Sequence, residues 1–282
     1  MKIFISADIE GISGVATGIQ LKKESEYQRF RKLMTQDVNA AIEGAFNGGA
    51  TEVVVADGHG NMSNILIEEL DERASLISGN NRVMCQLEGL DDTYDGIFFV
   101  GHHGREGGSE RTVINHSLAG ICVNEFRING KVVGETELNA AVAGDFNVPA
   151  LLITGDDTYV EEVKETLPEI ESAVVKRGID RLAAELLPPK KAQQIIREKA
   201  QMAVEKANTI QPYKVDGPIT FEIEFKGTNQ ALMTTTIPSV ELINPKTIRF
   251  TADNMVTAYK HAWGCVIIGM AATQGVLGHA NA

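Results

Sequence analysis

Short apolar runs rich in β-branched residues recur along the chain, and each breaks off at acidic or histidine residues. Ile3-Phe4-Ile5-Ser6-Ala7 leads into Asp8 and Glu10, and Val53-Val54-Val55-Ala56 into Asp57 and His59. Ile97-Phe98-Phe99-Val100-Gly101 leads into His102 and His103, and Leu151-Leu152-Ile153-Thr154-Gly155 into Asp156 and Asp157. Uninterrupted apolar runs suit strands buried on both faces of a parallel sheet. Ligands of open α/β sheets bind beyond the carboxyl ends of the strands, so these polar residues are placed to meet at one edge.

Between the runs the period changes. Ser25 is a candidate cap for a long helix whose Tyr27, Phe30, Met34, Ala41 and Ala45 share one face, with Gly48-Gly49 as its stop. Residues 51–57 then complete a βαβ unit, whose crossover is expected to be right-handed. Residues 63–70 read as a short helix and 96–101 as a buried strand; 112–133 read as less regular strands around the hairpin signal Asn129-Gly130. Helices over 134–144 and 158–167 flank a strand at 150–155. Pro188-Pro189 opens a Lys- and Gln-rich helix to about Asn208, and the composition breaks at 212–218. Residues 219–250 are strand-like, and a helix from Asp253 to about Ala272 closes them. The expected fold is α/β, a three-layer α/β/α arrangement with a mainly parallel, mixed sheet. Residues 1–211 would form the core, and 212–282 a smaller β-rich subdomain with a C-terminal helix.

A length of 282 residues suffices for a sizeable core. The formal charge of −12 opposes nucleic acid and anionic membrane as partners. Cys85, Cys122 and Cys265 have no CxxC spacing, which suggests neither a disulfide framework nor a zinc knuckle and fits a reducing cytoplasm. Asp8 and Glu10 interrupt the first apolar run before it reaches signal-peptide length. The apolar stretch 263–277 contains Gln274 and is shorter than the roughly 20 residues of a membrane span, so a soluble cytoplasmic protein is expected.

Asp8 and Glu10, at i and i+2, face one way in an extended chain and are able to hold one divalent ion, or two if Asp8 bridges. Charge after a buried strand is costly unless something neutralises it. His59 is flanked by Gly58 and Gly60; in this segment a polar turn with Asp57 as a cap is the alternative to a ligand role. Of His102 and His103, neighbours pointing in different directions, at most one is expected to be a direct ligand, the alternative being one core and one exposed histidine. Glu135 and Glu137 open a helix, where the dipole alone favours carboxylates. His116 offers a base or acid near neutrality, or a hydrogen-bonded structural residue. Mixed carboxylate and imidazole donors suit zinc, and a zinc pair suits hydrolysis. There is no GxSxG elbow, P-loop, GxGxxG after a strand or HExxH.

The chain resembles the zinc-dependent D-aminopeptidase family found with bacterial dipeptide-transport operons. The resemblance rests on the opening string Ser6-Ala7-Asp8-Ile9-Glu10-Gly11-Ile12-Ser13-Gly14, then Asp57-Gly58-His59, Leu87-Glu88-Gly89-Leu90-Asp91-Asp92-Thr93 and Gly101-His102-His103. Asn115-His116-Ser117, Gly134-Glu135 with Leu138-Asn139-Ala140, and Gly155-Asp156-Asp157 complete it in family order. It implies a binuclear zinc site bridged by Asp8 and completed by Glu10, His59, His103 and Glu135, choosing His103 over His102 and Glu135 over Glu137. It also implies His116 as the catalytic base or nucleophile, and a homo-oligomer, a decamer of two stacked pentamers with the active sites inside. The chain departs from the family pattern at residues 104–111, a longer and more charged loop that bears on substrate size and stereochemical preference.

The expected function is therefore a binuclear zinc aminopeptidase that removes an N-terminal, D-configured residue from short peptides or amino-acid amides. Asp156 or Asp157, at a strand end, is a candidate partner for the substrate ammonium. A two-metal phosphoesterase on the same site is the second reading, disfavoured because no arginine or lysine cluster lies near the ligand motifs. A third is a non-catalytic, peptide-binding ring subunit of a transport system, disfavoured by the presence of all five ligand residues together with His116.

Overall fold

Each of the four apolar runs forms a strand in the computed structural model, which describes residues 1–273. In chain order the elements are β1 (Lys2–Ala7), α1 (Glu24–Asn47), β2 (Glu52–Asp57), β3 (Ala74–Ile77), β4 (Gly96–Val100), β5 (Val123–Ile128) and β6 (Lys131–Val133). Then come α2 (Glu135–Asp145), β7 (Ala150–Asp156), α3 (Asp157–Lys164), β8 (Glu171–Asp180), β9 (Ala183–Leu186) and α4 (Pro189–Glu205). The chain continues with β10 (Ile219–Phe225), α5 (Thr228–Thr234), β11 (Glu241–Asn244), β12 (Thr247–Ala252) and α6 (Met255–Thr273).

A seven-stranded sheet of order β3-β2-β1-β4-β7-β8-β9 forms the middle layer, parallel except for β9. Strand alternation sends Ile3, Ile5, Val53, Val55 and Phe98 to a core shared with α1 and α4. It sends Phe4, Val54, Ala56, Ile97 and Phe99 to a second core with α2, α3 and α6. Burial on both faces explains why these strands read as continuous apolar runs. The α/β, three-layer expectation with a mainly parallel, mixed sheet is met.

A second, antiparallel sheet has the order β11-β12-β10-β5-β6. The composition break at 212–218 therefore does not separate the sheets, because β5 and β6, from residues 123–133, complete the one that 219–252 begins. β10 buries Ile219, Phe221, Ile223 and Phe225 and pairs with β5 on one side and β12 on the other.

Local readings differ in places. α1 starts after Lys23 with no side-chain cap, so Ser25 lies inside it. The helix expected at 63–70 is a single 3-10 turn at Ile67–Glu69, and 112–122 contains no strand. β3, β8, β9 and α5 carried no clear pattern; β8 is only partly buried and α5 is seven residues long. Residues 274–277 of the apolar stretch lie outside the described residues. Among the described residues, no helix is long and apolar enough to cross a membrane.

The edge that matters is where β1, β2 and β4 end in register, Ala7 beside both Asp57 and Val100. The ladder continues past the strands through Asp8 N–H to Val100 C=O at 2.8 Å and Gly11 N–H to Gly101 C=O at 2.7 Å. Gly101 has φ of +75°, and a Cβ there would lie 2.3 Å from the Asp8 carbonyl oxygen. Glycine is thus required by both conformation and space. Gly101→Ala is expected to cost about 3 kcal/mol in chemical denaturation of the metal-free protein; an unchanged midpoint would contradict the close packing.

Candidate metal centre

Three strand ends and one helix start deliver five donors to this edge. Asp8 and Glu10 follow β1, His59 follows β2, His103 follows β4, and Glu135 opens α2. His59 Nδ1 lies 3.2 Å from Asp8 Oδ1 and 3.0 Å from Glu10 Oε2. His103 Nε2 lies 3.5 Å from Asp8 Oδ2 and 3.4 Å from Glu135 Oε1. The two oxygens of Asp8 thus face different imidazoles.

The carboxylates are almost inaccessible: Asp8 and Glu135 are 3% exposed and Glu10 5%. Burial opposes ionisation of Glu10, yet the charge and hydrogen bond of His59, with His116 and His103 nearby, hold it well below the usual carboxylate range. Glu135 is likewise held low against burial by His103 and His116. Asp8 is pushed up, by burial and then by the charge of Glu10. Burial also disfavours the His103 cation, but Glu135 and Asp8 outweigh it and push the imidazole up to about 10. His59 is raised well above its ordinary value in the same way, burial being overcome by Glu10 and Asp8. The cluster therefore draws positive charge to its centre.

The donor set fits a divalent metal on geometry as well. His103 Nδ1–H donates to the Gly104 carbonyl at 2.9 Å, which leaves Nε2 as the nitrogen facing the carboxylates. That Nε2 is buried without a hydrogen-bond partner. Donors around a tetrahedral zinc with bonds of about 2.0–2.1 Å lie about 3.3 Å from one another, so the 3.4 and 3.5 Å separations match co-ligands better than hydrogen bonds. Asp8, Glu10 and His59 form one possible metal-holding group, His103, His116 and Glu135 a second, and Asp8, His102 and Glu135 a third.

The surroundings hold these groups in place. Glu135 Oε2 accepts from Gln86 Nε2 and Oε1 from the Leu118 N–H, both at 2.7 Å. Asn139 Nδ2 in turn donates to Gln86 Oε1 at 2.7 Å. Lys176 Nζ, fully buried, donates to the carbonyls of Glu10, Ile12 and Val15 and pins the loop after β1. Gln86 and Lys176 were not anticipated from the sequence. Their only signals are a glutamine beside the Leu87-Glu88-Gly89 motif and a lone lysine ending an apolar run.

The alternatives separate. His102 and His103 are both buried, with His102 directed to Ser6 Oγ at 3.2 Å, so neither is an exposed histidine. Glu137 Oε2 accepts from the Gly134 N–H and caps the helix, while Glu135 turns to the cluster. Asp57 Oδ2 accepts from the Asn64 and Ile65 N–H groups, a turn-capping role. Asp156 accepts from Val113, Thr158 and Tyr159, and Asp157 from Gly178. The suggested pairing of Asp156 with a substrate ammonium is therefore corrected: its oxygens are occupied by cap and loop contacts and it is 1% exposed. Asp157 likewise serves the chain, holding Gly178 and Arg111.

The loop after His103 is tied to α3, where Glu162 Oε1 accepts from the Arg105 N–H at 3.1 Å. Burial, then the charge of Glu137, pushes the Glu162 carboxyl up to about 7. The folded state then binds this proton more tightly than the unfolded chain, so this group's contribution to stability falls as pH rises from the ordinary glutamate range to about 7. Glu162→Gln keeps the acceptor and is expected to flatten that slope in denaturation measured across the window; an unchanged slope would contradict the assignment.

A family model described as D-aminopeptidase matches residues 1–263. A D-aminopeptidase of Bacillus subtilis (strain 168) is 38% identical over 263 residues, covering 92% of this chain and 94% of its own. The solved structure of the Zn-dependent D-aminopeptidase DppA from Bacillus subtilis, a self-compartmentalizing protease, superposes with a TM-score of 0.91 at 36% identity, covering 96% of this chain and 98% of that one. The buried donor cluster thus sits in a chain that belongs to the D-aminopeptidase family.

Proposed function

We propose that the protein is a binuclear zinc aminopeptidase that releases an N-terminal, D-configured residue from short peptides or amino-acid amides. The observation that carries this reading is the two-sided placement of Asp8, with Oδ1 toward His59 and Oδ2 toward His103, inside a set of five donors of which all but the part-buried His59 are buried. It supports one ion held by Asp8, Glu10 and His59 and another by Asp8, His103 and Glu135, with Asp8 bridging. Zinc held there supplies Lewis acidity toward a peptide carbonyl and lowers the pKa of water.

His116 is the proton-handling residue of the proposal. Its Nδ1 faces the Ile114 carbonyl at 3.0 Å, which supports the tautomer that leaves Nε2 free as base or nucleophile. Its ring stacks on His103 with centroids 4.0 Å apart, so it is held beside the donors. Gln86 and the Leu118 N–H fix the Glu135 carboxylate so that it does not swing away on binding. Lys176, buried beside the cluster, is spent on backbone carbonyls, which supports a carbonyl over a phosphoryl substrate.

The family relative that is a self-compartmentalizing protease supports a homo-oligomer, proposed here as a decamer of two stacked pentamers. Three free, buried cysteines support a cytoplasmic location.

Zinc analysis of the purified protein is expected to find about two ions per chain. D-Ala-D-Ala should be cleaved in preference to L-Ala-L-Ala, a chromogenic phosphate ester should be left intact, and a chelator should abolish turnover. His116→Ala is expected to retain the zinc and lose at least about 100-fold in kcat. Loss of one zinc in that variant would make His116 a ligand instead, and near-normal hydrolysis would remove its role altogether.

A further inference from the structure

Next to the donor cluster, walled by neighbours of His59 and Glu135 rather than by the donors themselves, lies a cavity of about 500 Å³, within the roughly 300–1,000 Å³ typical of small-molecule sites. We propose that this cavity receives the side chain of the substrate residue whose bond is cut, and that it selects apolar over charged side chains. The proposal rests on the aminopeptidase reading above and names the substrate class of that same site.

The cavity is continuous with the centre through shared neighbours. The cavity wall includes Gly58 and Gly60, which flank His59, and Gln86, which holds Glu135. Leu118, whose N–H binds Glu135, and Gly120, packed on the His116 ring, line the same space. A substrate whose scissile carbonyl meets the donors has this cavity as its neighbouring volume.

The lining is mainly apolar and neutral. Among the described residues that line the cavity none is charged, in a chain that is 23% Asp, Glu, Lys and Arg. Met62, Leu118, Trp263, Ile267 and Met270 supply an apolar wall, and Asn80, Asn81 and Gln86 supply the polar groups. An ammonium or carboxylate placed here would lose water without a charged group in the described lining to contact, whereas an aliphatic or aromatic side chain gains burial.

The wall is also fixed in place. Trp263 Nε1–H donates to the Arg82 carbonyl at 3.0 Å. The Arg82 guanidinium donates to the carbonyls of Asp57 and Ile77, both at 2.7 Å, tying α6 to the segment that carries His59. Met62, Cys85 and Leu118 line the cavity with φ of 56°, 47° and 54°. They are half of the six non-glycine residues of positive φ among the described residues. Such backbone persists where surrounding structure imposes it, and it gathers at ligand sites.

The test is a panel of Ala, Leu, Phe, Asp and Lys amides in both configurations, each carrying one side chain, with the zinc-loaded protein. In the configuration that is cleaved, Leu and Phe amides are expected to exceed Asp and Lys amides by at least about 10-fold in kcat/KM. Ile267, 47% exposed on α6, is a lining residue whose enlargement does not crowd the core. Ile267→Trp is expected to lower the Leu-to-Ala and Phe-to-Ala ratios by about 10-fold, with zinc content and melting temperature as controls for folding. Equal cleavage of charged and apolar amides, or unchanged ratios in a folded Ile267→Trp, overturns the pocket and leaves the peptidase standing. No hydrolysis of any amide sinks the peptidase reading and the pocket with it.

Discussion

Five ionisable side chains share one buried sheet edge, and the rest of the structure follows from what that costs. A buried carboxylate without compensation is destabilising by several kcal/mol. Here Asp8, Glu10 and Glu135 are compensated by imidazoles at 3.0–3.5 Å, the separations that also suit a shared cation. Such compensation falls away within a few ångströms, so it demands that β1, β2, β4 and the start of α2 be held to that tolerance.

The fold meets this demand with groups that have no chemistry of their own. Gly101 and Gly11 let the ends of β1 and β4 close on each other, with no room for a Cβ on either. Lys176 reaches from β8 to three carbonyls of the loop after β1, and Gln86 and Asn139 brace Glu135. The acids that look like further site residues are spent on the chain itself: Asp57 caps the turn that carries His59, Glu137 the helix that carries Glu135, and Asp156 the start of α3. The apolar cavity extends the same logic, since Trp263 and Arg82 tie α6 to the segment bearing His59.

Much of this was legible along the chain. The four runs became β1, β2, β4 and β7 because strands buried on both faces admit only apolar side chains, so position along the chain and position in the sheet coincide. The polar residues that end the first three runs meet because parallel strands end at the same edge. The fourth run misled: Asp156 and Asp157 satisfy backbone groups of α3 and of neighbouring loops, and a strand-end acid looks the same whether it caps or binds. β8 and β9 were unreadable because their burial is irregular, and α5 because seven residues are too few to show a period.

The sequence by itself determined the α/β alternation, the parallel core and the short list of candidate donors, because these rest on local periodicity and on residue types that motif order brings together. The tertiary structure shows the physical reason Glu135 rather than Glu137 turns inward, Glu137 being spent on the Gly134 N–H, and it alone decided that the sheet of 219–252 borrows β5 and β6 across the composition break. It alone set Trp263 and Ile267 beside Gly58 and Leu118. Those outcomes depend on contacts between segments far apart in the chain, where side-chain direction is fixed by packing and by the need to pair every buried charge.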